Sequence, residues 1–388
     1  MRRNTYLQLT ALFCVAFNLR LAMACIGPVL DRLRFDLDMS RAQLGLLSTL
    51  PVLCMSLFAP VAQRISAMRG HEHAILFATL AIALATATRI FADEWLMLSS
   101  AFVAGVGIAI AGTLLNTFVK EHFAQRAVMV SGMYSAALCL GAALSAGLTE
   151  PMVGILDDSW RAALAAWSIP GFVATGLWWF MLHRMSPNEP ASAAVRKRIA
   201  LPWRNGHAWL TLVFFGLQSI VFYVPLSWLA PMYVELGWTA AKSGAALGVW
   251  IALQFFFILL VAHAASRTPD RRPWLIACGG AAIIAFVGFA AAPLWAPWLW
   301  IALSAFACGG WFPLCMNFPL DYGRTPSEAG SWTAMMLCGG YLISAGSPAL
   351  TGWMRDADDG YAAIFALLAA LSAALLALAF FLRPQPQT

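Results

Sequence analysis

This sequence predicts an all-α membrane protein of twelve transmembrane helices in two pseudo-symmetric six-helix bundles, and three observations carry that expectation. Hydrophobic residues make up 61% of the 388 residues and charged residues only 11%, with a mean hydropathy of +0.74; soluble domains are about 25% charged. Apolar windows long enough to cross a bilayer as a helix, about 20 residues each, recur twelve times. Finally, two short motifs repeat at one offset, 199 residues. Ser40–Gly45 recurs as Thr239-Ala240-Ala241-Lys242-Ser243-Gly244, and Gly141 with Ser145-Ala146-Gly147 recurs as Gly340 with Ser344-Ala345-Gly346. The chain therefore divides into a six-helix bundle at 1–184, a polar linker at 185–206 and a second bundle at 207–388.

In chain order the spans cover 6–30, 42–65, 74–91, 95–119, 127–149 and 161–182, then 208–233, 240–262, 273–293, 295–320, 329–354 and 361–382. The first follows Arg2 and Arg3 and runs into Ala22-Met23-Ala24-Cys25, a pattern faintly like a lipoprotein signal. Asn18 and Arg20 interrupt its apolar region and eleven spans follow, so an uncleaved helix is expected. Ser40-Arg41-Ala42-Gln43 is a capping box that starts the second span, and Thr239 stands at the same place before the eighth. Small residues in the fifth span (Gly141, Ser145, Gly147) and the eleventh (Gly340, Ser344, Gly346) let neighbouring helices approach closely. Pro348 should kink the eleventh. The linker carries Pro187, Pro190, Arg196-Lys197-Arg198 and Arg204. Several of the seventeen Trp, among them Trp95, Trp203 and Trp295, lie near span ends, where aromatic belts form.

Orientation follows from the Lys and Arg distribution. With the N-terminus inside, the inside segments hold sixteen basic residues. The outside loops hold seven: Arg32, Arg34, Arg41, Arg89, Arg161, Lys242 and Arg355. That asymmetry puts both termini and the linker on the cytoplasmic side of the cytoplasmic (inner) membrane. The net charge of +6 is dispersed over loops, so no nucleic-acid partner is expected. All eight Cys lie inside apolar spans without metal-ligand spacing and read as small packing residues. The sequence has no Walker-type phosphate loop and no His, Cys or acidic cluster with nucleophile or metal spacing. An enzyme, an ATP-driven pump, a metal and a cofactor are all disfavoured. A monomer in the lipid bilayer with a small-molecule substrate is expected.

Arg20 is the main functional clue. A guanidinium keeps its proton and would cost at least ~3 kcal/mol at the centre of a lipid-facing helix. It must face protein or a water-filled cavity, where a fixed positive charge favours an anionic or strongly polar guest.

Several stretches stand out as motifs. In the first half these are Phe17-Asn18-Leu19-Arg20 with Gly27-Pro28, and Leu50-Pro51-Val52-Leu53-Cys54 with Leu57-Phe58-Ala59-Pro60. In the second they are Gly216-Leu217-Gln218-Ser219 with Phe222-Tyr223 and Trp228-Leu229, Gly309-Gly310-Trp311-Phe312-Pro313-Leu314, and Arg324-Thr325-Pro326-Ser327-Glu328-Ala329 followed by Gly340-Tyr341-Leu342-Ile343. These stretches resemble the cyanate and 2-nitroimidazole transporters, one branch of the major facilitator superfamily; the resemblance spans both halves and implies the major facilitator fold and transport of a small anion or compact polar solute. There are departures. Leu21 follows Arg20 where the family usually has proline. Gln63 stands where the superfamily's loop pattern has an aspartate, although Arg64 and Gly70 are kept. The remaining inside-face charge partners are Glu121 with Arg126, or Asp321 with Arg324.

Candidate substrate-binding residues are polar or aromatic side chains in apolar spans. They are Asn18, Arg20, Asn116 and Tyr134 in the first half, and Gln218, Tyr223, Gln254, Asn317 and Tyr341 in the second. Gln218 is Leu19 shifted by 199, so the polar cluster of the seventh span should oppose that of the first about the pseudo-two-fold axis. Interhelical hydrogen bonds of ~1 kcal/mol explain Asn116, Gln254, Asn317 and the tyrosines equally well. No Asp, Glu or His lies at mid-span; Glu150, beside Pro151, is the one coupling candidate. A receptor or sensor on the same fold, or a drug or metabolite exporter of unrelated substrate, are the alternatives.

Overall fold

The computed structural model describes residues 2–123, 127–184, 201–268, 270–322, 326–357 and 360–382. Residues 185–200 of the expected linker, and Arg126 and Arg324, lie outside the described residues, as does the side chain of Gln63. The first half comprises α1 (Arg2–Ala24), α2 (Leu30–Leu37), α3 (Arg41–Arg69), α4 (His71–Ala87), α5 (Glu94–His122), α6 (Ala127–Ile155), α7 (Trp160–Ala166) and α8 (Ser168–Arg184). The second comprises α9 (Gly206–Glu235), α10 (Ala240–Ser266), α11 (Arg272–Ala291), α12 (Pro297–Tyr322), α13 (Pro326–Ala345), α14 (Ser347–Ala357) and α15 (Ala362–Ala379). Eleven spans among the described residues are long and apolar enough to cross a membrane. The remaining one, expected at 329–354, is divided into α13 and α14 at Gly346. Pro348 sits in the first turn of α14, where its missing N–H costs no hydrogen bond. The expected kink is thus a break just before the proline.

Local signals set the helix ends. Asp93 caps α5 by accepting from the Leu96 N–H at 2.7 Å, and Ser159 caps α7 through the Ala162 N–H at 3.2 Å. The capping box before α3 is formed: the Ser40 N–H donates to the Gln43 side chain at 2.7 Å, and the Gln43 N–H donates to Ser40 Oγ at 3.2 Å. Gly70, at φ +83°, makes the turn from α3 into α4, a conformation that L side chains resist. The first span departs from expectation. After α1 a 3-10 turn, Gly27–Val29, leads into α2, so Arg32 and Arg34 stand on a helix rather than in a loop.

The described residues pack as two compact units. Unit 1 is Met1–Met39, Leu46–Arg196 and Gly237–Gly248; unit 2 is Ser40–Gly45, Lys197–Leu236 and Val249–Thr388. In unit 1, α1 packs on α6 and α8, and α4 on α5 and α8. In unit 2, α9 packs on α13 and α15, and α11 on α12 and α15. Each pairing recurs with its repeat equivalent. The seam glycines show this atom by atom: a Cβ on Gly141 would fall 2.1 Å from the Phe17 carbonyl oxygen, and one on Gly340 would fall 3.2 Å from the Gly216 nitrogen. Positions 17 and 216 are themselves 199 residues apart.

Unit 2 also holds the start of α3. The Asp356 carboxylate accepts the backbone N–H groups of Arg41 and Ala42, each at 3.0 Å. Two glycines bring the backbones together there. A Cβ on Gly352 would lie 2.2 Å from the Arg41 carbonyl oxygen, and one on Gly45 would lie 2.3 Å from that of Pro348.

Candidate functional site

In unit 1, Arg20 is half-buried on α1. The Tyr134 hydroxyl stands 3.8 Å from the point where a Cβ on Gly112 of α5 would lie. Asn116, one turn further along α5, is exposed and folds its amide N–H back to the Gly112 carbonyl at 3.1 Å. Tyr134 and Asn116 therefore both stand beside Gly112.

Asn18 does not join them. Two residues along a helix is about 200°, so Asn18 and Arg20 occupy opposite faces of α1. The Asn18 amide is buried against the position a Gly171 Cβ would take, at 3.0 Å, beside Ala83. Its Nδ2 has no hydrogen-bond partner among the described residues. Glu150 is also elsewhere. It is buried near the C-terminal end of α6 and accepts from Arg32 Nε at 3.0 Å and Nη2 at 2.6 Å, while Asp158 stands 3.7 Å from the same Arg32.

In unit 2, Gln218 is buried on α9, and its Oε1 has no hydrogen-bond partner among the described residues. Tyr223, also on α9, packs edge-on to Phe222, whose ring stacks on Trp250 at 5.6 Å. Tyr341 of α13 packs edge-on against Phe215 at 5.3 Å. Gln254 and Asn317 repeat the behaviour of Asn116: each donates to the carbonyl four residues earlier, Trp250 at 3.5 Å and Pro313 at 2.8 Å. Local back-bonding of this kind satisfies an amide without a second helix.

The carboxylates expected on the inside face also have partners. Glu121 pairs with His71 at 3.3 Å, and Asp321 with Arg271 at 2.6 Å. Burial pushes the Asp321 carboxyl up from the usual carboxylate range, and Arg271 opposes that shift. Asp270 is held below the range by its hydrogen bond from Arg272.

The family model described as Major Facilitator Superfamily matches residues 12–345. The chain belongs to that superfamily. Its relatives include the Cyanate transport protein CynX of Escherichia coli (strain K12), 30% identical over 91% of both chains. They also include the 2-nitroimidazole transporter of the same strain, 27% identical over 95% of both chains. Among solved structures, a D-xylose-proton symporter superposes with a TM-score of 0.79 at 13% identity, covering 99% of this chain and 98% of that one. The nucleoside transporter NupG gives 0.76 at 12% identity, covering 97% and 100%. These two show the shared fold. The chain is a multi-pass membrane transporter of the major facilitator class rather than an enzyme.

Within this facilitator, two arginines differ from their sequence reading as outside-loop charges. Arg89 is fully buried. Its Nη1 donates to the Ala22 carbonyl at 3.0 Å and its Nε to Ser100 Oγ at 3.2 Å. That carbonyl is available because α1 ends there: the Ile26 N–H turns to Met23 at 3.4 Å instead of reaching back to Ala22. Arg355 is equally buried, bonded to Glu235 and lying over the Tyr361 ring at 4.2 Å. Glu235 stands 199 residues after Asp36, which accepts from Trp160 Nε1 at 2.6 Å and has Arg161 at 3.5 Å. The repeat offset is the sequence signal that could have found this carboxylate pair.

Proposed function

We propose that this transporter moves a small anion or compact polar solute, cyanate-like or nitroimidazole-like, by alternating access, and that Arg20 is the group that contacts it. The observation that carries the reading is a half-buried arginine, Arg20, in the middle of the apolar helix α1, with the Tyr134 hydroxyl and the Asn116 amide both beside Gly112 of α5. A charge-assisted hydrogen bond from a guanidinium contributes ~1.5–3 kcal/mol, enough to change affinity about tenfold or more. In the second half, Gln218, Tyr223, Gln254, Asn317 and Tyr341 are the candidate solute contacts, and the buried Gln218 Oε1 is able to accept from a solute N–H. Asn18 supports α1 from the opposite face.

Movement is facilitated or weakly proton-linked, because mid-span titratable groups are lacking in the sequence and Glu150 is engaged by Arg32. Both termini and the linker face the cytoplasm. The test is uptake of cyanate and of 2-nitroimidazole at low concentration in cells carrying Arg20→Ala or Arg20→Lys. Alanine should abolish transport. Lysine should reduce it strongly, since it keeps the charge but loses the planar fork. Normal transport by both variants would make Arg20 a structural residue and end this reading.

A further inference from the structure

Two glycines of α5 draw α3 and α4 onto it. A Cβ on Gly105 would come within 2.6 Å of Pro51 Cα on α3, and one on Gly107 within 2.8 Å of the Ala78 carbonyl oxygen on α4. The Phe58 ring of α3 then packs edge-on to Phe102 of α5 at 6.1 Å. From that pair toward the α3–α4 turn, α4 lines the space with the small side chains of Ala74, Ala78 and Ala81, spaced to share one face. A groove of about 630 Å³ results, and each side chain that lines it is apolar. Its rim residues Met68, Phe77 and Val103 are exposed, so in a bilayer it opens to hydrocarbon. The lining on α3 begins at Phe58, near the middle of that helix, and reaches Met68 at its end. That length of helix is ~15 Å, half of a ~30 Å hydrocarbon core. The groove therefore has the depth of one leaflet. Polar groups stand at its turn end: Arg64 is four residues before Met68 and His73 four before Phe77, each on the same face as that partner and each exposed. Unit 2 is built differently. The positions 199 residues after Phe58 and Gly107 are Phe257 and Phe306, whose rings pack edge-on at 5.3 Å.

We infer that the groove between α3, α4 and α5 is a phospholipid site: one acyl chain lies along Ala74, Ala78 and Ala81 with its tip at Phe58 and Phe102, and the phosphate sits at the Arg64 and His73 end. An acyl chain is the one apolar rod a bilayer supplies at this depth. A groove touches it on three sides where a flat helix face touches it on one, and dispersion contacts add up accordingly. Arginine suits the other end, because its apolar stem lies along the helix while the guanidinium reaches outward to a phosphate. None of the candidate solute contacts is among the lining residues, so the site is separate from the transport path proposed above.

The full chain in detergent is mixed with an equimolar amount of phosphatidylglycerol bearing a photoreactive diazirine at the tip of one acyl chain. After illumination the adducts are mapped by peptide mass spectrometry. The peptide holding Phe102 should carry about tenfold more label than the one holding Ile284 and Val287, exposed apolar residues on the plain face of α11. Ala81→Phe fills the groove and should bring the Phe102 label down to the α11 level. Folding is checked by size-exclusion profile, and Ala81→Leu takes its place if the ring prevents folding. Arg64→Ala should lower the Phe102 label about threefold while leaving the α11 label unchanged. Equal labelling of the two faces in the parent, which is what annular lipid alone gives, overturns the inference. So does a Phe102 label that a folded Ala81 variant leaves intact. A label that Arg64→Ala leaves intact overturns the placing of the phosphate.

Discussion

Arg89 and Arg20 are both arginines within apolar spans, yet they are held in different ways. Arg89 spends its donors on the frayed end of α1, taking the Ala22 carbonyl that the helix itself abandons, and is fully enclosed. Replacing it with leucine would leave that carbonyl to the weak Cys25 thiol contact at 3.6 Å. A buried acceptor left unmet costs about 1–3 kcal/mol, so Arg89→Leu should lower thermal stability in detergent by that order. A melting profile identical to the parent's would show that the bond contributes nothing. The sequence could not distinguish Arg89 from a loop charge. What buries it is the 3-10 turn Thr88–Phe91 at the end of α4, together with the unravelling of α1, and neither event follows from hydropathy. Arg20 was legible because mid-span charge is costly wherever it points. On α5 and α6, polarity marks Asn116 and Tyr134 in the sequence, whereas Gly112, beside both, carries no side chain to notice.

Among the helices, α3 best separates local from distant control. Its capping box was readable from four consecutive residues and is formed. The second cap, Asp356, was not, because nothing in the sequence ties residue 356 to residues 41 and 42. The arrangement makes physical sense from both sides. A carboxylate near the C-terminal end of α14 is disfavoured by that helix's own dipole, and the exposed N–H groups at the start of α3 offset the penalty. Asp356→Asn keeps the size and removes the charge. Loss of a cap costs about 0.5–2 kcal/mol, and the expected outcome is faster hydrogen exchange at the Arg41 and Ala42 amides, with the rest of α3 unaltered. Exchange rates equal to the parent's at those two amides would rule out the cap. The same contrast applies to the back-bonded amides. Polarity marked Asn116, Gln254 and Asn317 as sites of interest, but only coordinates show each turning to its own helix.

For the molecule as a whole, the class, the span positions and the repeat were all legible, because a bilayer imposes length and composition directly on the sequence. The pairing of helices then recurs between units, as two motifs at one offset implied. The charge count can now be refined. Arg89 and Arg355 are enclosed by protein, so two of the seven residues counted as outside-loop charges are not loop charges. Reporter fusions after Arg184 and at the C-terminal end should both report cytoplasm; an external signal from either would overturn the topology. The paired carboxylates Asp36 and Glu235 hold a lesson about descent. Two copies of one ancestral half would begin with identical partners at identical places. Here the carboxylate keeps its place, while its aromatic donor has become Trp160 in one copy and Tyr361 in the other, positions that do not correspond at the 199 offset. The arginine follows the aromatic residue in the first copy and precedes it in the second. What a duplication hands down at this site is an obligation to meet a helix-end carboxylate, and each half has discharged it with different letters.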